Sequence, residues 1–330
     1  MKAHNFWHPV LKTKDIKRQP VSVNFCGKEL VIFRGENGIL GALEDCCPHR
    51  RMRLSKGTVR GNRLVCPYHG WNYDRDGKGT SPSTSGLRPC VKSYDIAEKY
   101  GAIWVKELHS TAELPVIVNP EFHQVCTLHY RIQAPLELLV DNFSEIEHSC
   151  TTHIFLGHDL EGISRVESYL EVTEDAVRII NKGPQRKIPR FLELLLGYKR
   201  GSLFVGELEV LFSPVHINIK NYWISPNDSE FRKGEAQGAV FFNPVNDQET
   251  EMMMFSFMSS ELAVFSRFLN PLATFLLDYE TKLDKKMLEG ITNKNISIVG
   301  MQLGRFDKVL KLTRERIKSL YWQKDVISLR

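Results

Sequence analysis

Cys47-Pro48-His49 and, after sixteen intervening residues, Cys66-Pro67-Tyr68-His69-Gly70-Trp71 are the two stretches whose reading decides the fold. Each sets a thiol beside an imidazole in a turn-like context, with Pro after the Cys, and Gly70 closes the second loop. Two thiolates and two imidazoles suit one zinc ion. They also suit a sulfur-bridged iron pair, with Cys47 and Cys66 on one iron and His49 and His69 on the other. The single residue between Cys47 and His49 is tighter than the usual zinc-knuckle spacing, and one soft plus one borderline ligand per loop favours an asymmetric [2Fe–2S] centre. Cys46 adjoins a ligand but has no partner in the pattern and reads as a small buried residue.

The chain around these loops is that of an ordinary folded protein. It has 330 residues, 42% hydrophobic and 25% charged, which excludes wholesale disorder and leaves material for about two domains. A formal charge of +5 is too weak to argue for nucleic acid. No apolar run reaches the ~18 residues of a membrane span, and the first residues lack the apolar core of a secretory signal. The expectation is a cytoplasmic protein. Seven cysteines without regular spacing then read as ligands or apolar fillers, not as a disulfide framework.

Residues 1 to about 110 read as all-β. Short runs such as Val21–Phe25, Glu29–Phe33 and Gly101–Val105 are separated by turns at Gly35–Gly38 and Asp74–Gly77. Pro115 and Pro120 bracket an extended connector, so the expected domains are 1–115 and 116–330. The second has helical character from Pro135 to about Cys150. Strand candidates follow at 163–172, 176–182, 203–213, 215–224, 236–243 and 250–258, then helices at about 271–288 and 302–320. Strands first, then a long sheet closed by a helix, give a mainly β domain followed by an α+β domain. The methionine-rich stretch 252–258 and Phe204, Phe241 and Phe242 read first as core, with an apolar pocket as the second reading. Between Pro48 and Tyr73 six basic residues (Arg50, Arg51, Arg53, Lys56, Arg60, Arg63) occur with no acid. Such a collar suits an acidic electron donor, a subunit contact or plain solvation. The basic helix near 304–320 reads as a solvated outer face before a subunit contact.

A second constellation is Asn142-Phe-Ser-Glu145-Ile-Glu-His148-Ser-Cys-Thr-Thr-His153. On an ideal helix His148 and His153 would point about 140° apart, so both face one metal only if the helix breaks between them. The hydroxyl residues within Ser149–Thr152 make that the expected break. Asn142, Glu145 and His148 are spaced to share a helical face. Two histidines and one carboxylate make the triad that holds non-haem iron with positions open for dioxygen. Along 271–289, Asp284 falls mid-arc among Leu277, Leu283, Met287 and Leu288, while Asp278 lies with Lys282, Lys285 and Lys286 on the wet face. A buried carboxylate needs a partner or a metal. Asp284 is therefore the first candidate and Glu280 the runner-up. His158 repeats the five-residue spacing from His153, and the remaining histidines (4, 8, 109, 123, 129, 216) show none.

The loops Cys47-Pro-His-Arg and Cys66-Pro-Tyr-His-Gly-Trp, followed by Asn142-x-x-Glu145-x-x-His148-x4-His153, resemble the Rieske non-haem iron oxygenases, oxygenase (alpha) subunit. The stretch Leu283–Glu289 resembles that family's third-ligand helix. Its distance from His153 suits the shorter homotrimeric members of the vanillate and dicamba O-demethylase type. The resemblance implies an N-terminal Rieske [2Fe–2S] β domain and a helix-grip catalytic domain, an antiparallel sheet with a long C-terminal helix. It implies a cluster on Cys47, His49, Cys66 and His69, and Fe(II) on His148, His153 and Asp284. Electrons would come from a reductase or ferredoxin. With O2 they would hydroxylate or oxidatively demethylate a small organic substrate. Glu145 takes the place of an acid, commonly Asp, that bridges a cluster histidine of one subunit to an iron histidine of the next. Asn142 has a counterpart near the iron, His158 none. Two other readings stay open: an electron-transfer protein whose second domain lacks catalytic iron, and a zinc-bound interaction module. Nothing in the sequence names the substrate.

Overall fold

A computed structural model describes residues 2–155, 157–188, 190, 201–225, 228–259 and 263–322. The chain divides into two compact units. One is Lys2–Pro115 together with Asn243–Asn246; the other is Val116–Phe242 with Asp247–Arg330.

The first unit is built from short strands. β1 (His8–Lys12), β2 (Val21–Phe25), β3 (Lys28–Arg34) and β4 (Leu40–Glu44) come first, followed by β5 (Thr58–Arg60), β6 (Arg63–Val65), β7 (Asn72–Tyr73) and β8 (Gly79–Thr80), then β9 (Tyr94–Lys99) and β10 (Ala102–Glu107). They form three small sheets, β1-β10-β9, β2-β3-β4 and β5-β6-β7-β8. Gly35–Gly38 and Asp74–Gly77 are both closed turns, with Gly38 N–H donating to Gly35 O and Gly77 N–H to Asp74 O. Gly77 lies at φ +79°, and a Cβ there would stand 1.9 Å from the Val91 carbonyl oxygen, so no other residue fits. Asn243 joins this unit through its side chain, which accepts from Cys26 N–H at 2.7 Å and donates to Asn24 O at 2.8 Å. Nothing in the sequence marks that excursion.

The second unit is one seven-stranded sheet with helices. Its strands are β11 (Phe122–Ile132), β12 (Glu167–Val172), β13 (Ala176–Pro184), β14 (Leu203–Phe212), β15 (Val215–Ser225), β16 (Asp228–Pro244) and β17 (Thr250–Ser259). β12 through β16 run as an antiparallel meander, and β11 crosses to pair antiparallel with β17 at the far edge. This is the mainly β plus α+β organisation expected from the sequence. Four boundaries differ. β12 starts at Glu167 because Ile163–Arg165 forms a 3-10 turn, and β16 begins at Asp228, earlier than its apolar core suggests. The long helix spans Ala263–Gly290 with Pro271 inside it, whereas the proline reads as a natural first residue. The last helix is confined to Lys308–Ile317, continued by a wider turn to Trp322.

Among the described residues no helix is long and apolar enough to cross a membrane. The final helix is not simply solvated: Val309, Leu310, Thr313, Arg314 and Ile317 are buried. Arg314 reaches helix Leu136–Ser144, where its Nε (3.0 Å) and Nη2 both donate to Asp141 Oδ2. Trp322 Nε1–H donates to Glu137 of the same helix. Removing one member of a buried ion pair strands the other charge, at a cost of about 3 kcal/mol or more. Arg314→Leu is therefore expected to lower the stability of this unit by about that amount, read from its urea unfolding midpoint. An unchanged midpoint would show that the pair does not hold the helix.

Candidate active site

The two Cys–His loops have the same backbone plan. Cys47 N–H donates to Met52 O and Arg51 N–H returns to Cys47 O. Equivalently, Cys66 N–H donates to Trp71 O and Gly70 N–H to Cys66 O. The fifth residue of each loop is left-handed, Arg51 at φ 58° and Gly70 at φ 71°. Gly meets that need without strain and Arg does not. Cys47 and Cys66 are 1% and 3% exposed within a core of Val31, Phe33, Leu43, Leu54, Leu64 and Tyr73. Burial raises the Cys66 pKa, so its thiolate needs a cation to exist there.

The His49 and His69 rings lie 4.4 Å apart between centroids, and His49 stacks flat on Trp71. His49 Nδ1 is buried without a hydrogen-bond partner, whereas the His69 side of the pair is open to solvent. Tyr73, fully buried, places its hydroxyl 3.2 Å from Cys47 Sγ. The basic collar is largely exposed; Arg53 pairs with Glu29, and Arg63 contacts Asp74 at 3.6 Å.

The second constellation assembles on the other unit, though not as its spacing suggests. Helix Leu136–Ser144 ends before Glu145, whose φ of −118° and ψ of 162° are extended. Ser149–Thr152 is itself a short helix, so the break lies at Glu145 and not within the hydroxyl run. Asn142, Glu145 and His148 consequently share no continuous helical face. The reason is local: the Glu145 carboxylate accepts from the N–H groups of Glu147 and His148, stabilising the new turn at the expense of the old helix. The same carboxylate accepts from His148 Nδ1. One turn further, His153 Nδ1 donates to Glu280 Oε2 at 2.8 Å, and Glu280 also takes the N–H groups of Ile154 and Phe155.

These contacts fix the tautomers. A carboxylate only accepts, so each Nδ1 carries the proton, and in the neutral rings each Nε2 presents a lone pair. The two Nε2 atoms face each other at 3.3 Å, and Asp284 Oδ1 is 3.5 Å from both. Asp284 Oδ1 is buried with no hydrogen-bond partner. Burial lifts the Asp284 pKa. For His148, burial works downward, but contact with Glu145 and the charge of Asp284 outweigh it and raise its pKa. Three converging lone-pair donors around one point repel unless a cation occupies it. His148, His153 and Asp284 are the only such trio among the described residues, and they fit a divalent ion.

Asp284 shares its buried face with Glu280, Thr281 and Leu288, whereas Met287 is 45% exposed and does not belong to that arc. Glu280, the runner-up candidate, engages His153 Nδ1 and the N–H groups of Ile154 and Phe155. Asn142 stands beside Asp284 and favours its charged form, against the effect of burial. His158 is turned away, donating from Nδ1 to Pro184 O at 2.8 Å. His216 is a core histidine, pushed down to about 4 by burial. Sequence reasoning missed Arg186, a buried guanidinium that donates to the carbonyls of Ser149, Cys150, His153 and His158 and so clamps the ligand loop. No spacing rule points to it. A cavity of about 320 Å³ opens onto the trio; Met254, Phe255 and Met258 line it, while Phe204, Phe241 and Phe242 do not.

Residues 6–95 match the family described as the Rieske [2Fe-2S] domain. The vanillate O-demethylase oxygenase subunit of Pseudomonas sp. (strain HR199 / DSM 7063) is 34% identical over 158 residues, 45% of this chain and 44% of that one. The methylxanthine N1-demethylase NdmA of Pseudomonas putida is 32% identical over 168 residues, 45% and 47%. The chain spans less than half the length of these curated relatives. In three dimensions it superposes on dicamba monooxygenase bound to 3,6-dichlorosalicylic acid with a TM-score of 0.84, 19% identity and 97% of each chain covered. On NdmA with caffeine the TM-score is 0.72, with 22% identity and 96% and 91% coverage. The chain thus carries a Rieske [2Fe–2S] domain, shares the fold of dicamba monooxygenase and is similar in sequence to oxygenase subunits.

With a cluster iron on the Cys47 thiolate, the Tyr73 hydroxyl would donate to that sulfur and stabilise the reduced state. Tyr73→Phe removes a charge-assisted bond of about 1.5 kcal/mol, equivalent to roughly 60 mV for one electron. The cluster potential of that variant is expected to fall by up to this amount in protein-film voltammetry.

Proposed function

We propose that the chain is the oxygenase (alpha) subunit of a Rieske non-haem iron oxygenase. It takes electrons from a reductase or ferredoxin and uses O2 to hydroxylate or oxidatively demethylate a small organic substrate. Cys47, His49, Cys66 and His69 hold the [2Fe–2S] cluster, and His148, His153 and Asp284 hold Fe(II). The observation that carries this reading is the convergence of two Nε2 atoms and an unpartnered buried carboxylate oxygen in the wall of an apolar cavity. A carrier lacking catalytic iron would leave that convergence unexplained. When bound, the cluster supplies electrons one at a time and the ferrous ion supplies a centre for activating dioxygen beside the substrate.

The protein's own part is positioning. Glu145 and Glu280 hold the Nδ1 protons of His148 and His153, which keeps both Nε2 atoms free and aimed. Arg186 holds the carbonyls of the intervening turn, so the two rings keep their separation. The cavity walls beside these residues are largely apolar. Glu145 further serves as the link to an exposed His69 of a neighbouring subunit, in a homotrimer working in the cytoplasm. Its longer side chain, relative to Asp, is already engaged with the turn of its own chain.

Metal and acid-labile sulfide analysis of purified protein tests the assignment. Roughly three irons and two sulfides per chain are expected, with about two irons left in Asp284→Ala. Two irons in the unsubstituted protein, or zinc alone, would contradict it. Glu145→Ala is expected to keep the visible spectrum of the cluster and to abolish substrate oxidation. Unimpaired turnover would remove Glu145 from the electron path.

A further inference from the structure

The first Cys–His loop is closed by a carboxylate that the assignment of cluster ligands does not use. Asp45, two residues before Cys47, is only 5% exposed. Its Oδ1 accepts the Ser55 N–H at 2.7 Å, and its Oδ2 accepts the hydroxyls of Ser55 at 2.6 Å and Ser22 at 3.1 Å. Its own N–H donates to Glu29 O at 3.0 Å, which fixes the chain just past β4. Ser55 lies in the short turn Leu54–Lys56. The segment between Asp45 and Ser55, with Cys47 and His49 in it, is therefore a loop whose two ends are tied at one side chain.

The shared backbone plan of the two loops does not require that acid, since Leu64 stands at the same offset from Cys66. Every partner that Asp45 has among the described residues is an uncharged donor. Neutral donors steady a negative charge without cancelling it. Successive Cα atoms are about 3.8 Å apart, so Asp45 and Cys47 stand no more than about 7 Å apart at Cα. Cys47 is itself 1% exposed. At such a range, with both groups covered, the charge acts on the sulfur position with little screening.

We infer that Asp45 is a positioning residue whose buried charge holds down the reduction potential of the cluster, and so sets how readily an electron passes on from it. This rests on the reading of Cys47, His49, Cys66 and His69 as the cluster's ligands. With two thiolates and two neutral imidazoles an oxidised iron–sulfur pair is neutral overall, and the one electron supplied by the reductase or ferredoxin makes it an anion. A fixed negative charge beside it opposes that gain. Tyr73 would act in the other sense through its hydroxyl, 3.2 Å from Cys47 Sγ. The first loop thus carries one device of each sign.

Asp45→Asn tests it, because the change deletes the charge and keeps the contacts. The carboxamide oxygen accepts the Ser55 N–H, and the two hydroxyls turn to accept from the new N–H groups. The full-length protein is loaded with iron and sulfide, and the cluster potential is read by protein-film voltammetry at neutral pH. The equilibrium constant for one-electron reduction is expected to rise about tenfold in Asp45→Asn, a shift of roughly 59 mV, with the visible spectrum unchanged. Ser55→Ala withdraws one neutral donor and leaves the anion, so its potential is expected to fall. An Asp45→Asn potential that does not rise, or a Ser55→Ala potential that does not fall, overturns the inference. If Asp45→Asn takes up no cluster, Ser55→Ala decides alone. Unsubstituted protein that assembles no iron–sulfur pair removes the reading of the ligands, whereas a loaded cluster indifferent to Asp45 leaves that reading standing and removes only the role of the carboxylate.

Discussion

Two carboxylate–imidazole hydrogen bonds govern the second unit. Glu145 and Glu280 each accept an Nδ1 proton, so the neutral rings of His148 and His153 meet lone pair to lone pair, at 3.3 Å. Asp284 brings a third electron-rich atom to the same point. As a purely structural arrangement this is costly, because a buried acceptor left unsatisfied forfeits about 1–3 kcal/mol and like poles repel in a low dielectric. The surrounding fold over-determines it all the same. Arg186 ties the turn that carries the rings, Arg314 ties the helix that precedes it, and the long helix presents Glu280, Thr281 and Asp284 on one buried face. The proposed cation at that point would account for so many buried polar contacts spent on holding three donors apart from hydrogen-bond partners of their own.

The sheet supplies the other half of the chemistry. Its meander turns alternate side chains of β14, β15 and β17 toward the long helix, which leaves an apolar chamber with the ligand trio at one end. Because strand period fixes which residues face inward, the chamber's polarity is a property of the register. Asn221 lies opposite Gly206 and Ala236, two residues too small to cover it. The first unit follows a different logic. There two short loops of common backbone plan, stacked on Trp71 and backed by Tyr73, hold two buried thiols and two imidazoles at the unit's edge. There the thiols are buried while His69 is exposed.

Much of this was legible in the residues themselves. The Cys–His loops announce their chemistry because a thiol and an imidazole one or two residues apart have few other uses. Asp284 stands out because a carboxylate on the apolar arc of a helix demands a partner. What was not legible depended on competition or on distance. The break after Ser144 turns on whether the Glu145 side chain satisfies the next turn's N–H groups, a local contest that periodicity does not see. Glu280 was visible as a buried acid, but its role as the partner of a ligand required the fold to bring it to His153, more than a hundred residues away. Arg186 carries no pattern at all, since its four carbonyl partners are defined only by the folded turn. Pro271 misled because proline at a helix start is common and proline within a helix is not.

The central claim is that a lone ferrous ion sits between His148, His153 and Asp284, distinct from the sulfur-bridged pair. Nitric oxide reports on this directly, since it binds ferrous iron that has an open position and gives a paramagnetic adduct, while an oxidised cluster is silent. Electron paramagnetic resonance of the anaerobically iron-loaded protein with nitric oxide should show that adduct, and Asp284→Ala should lose it with the cluster intact. A fully loaded cluster with no adduct in the unsubstituted protein would contradict the account.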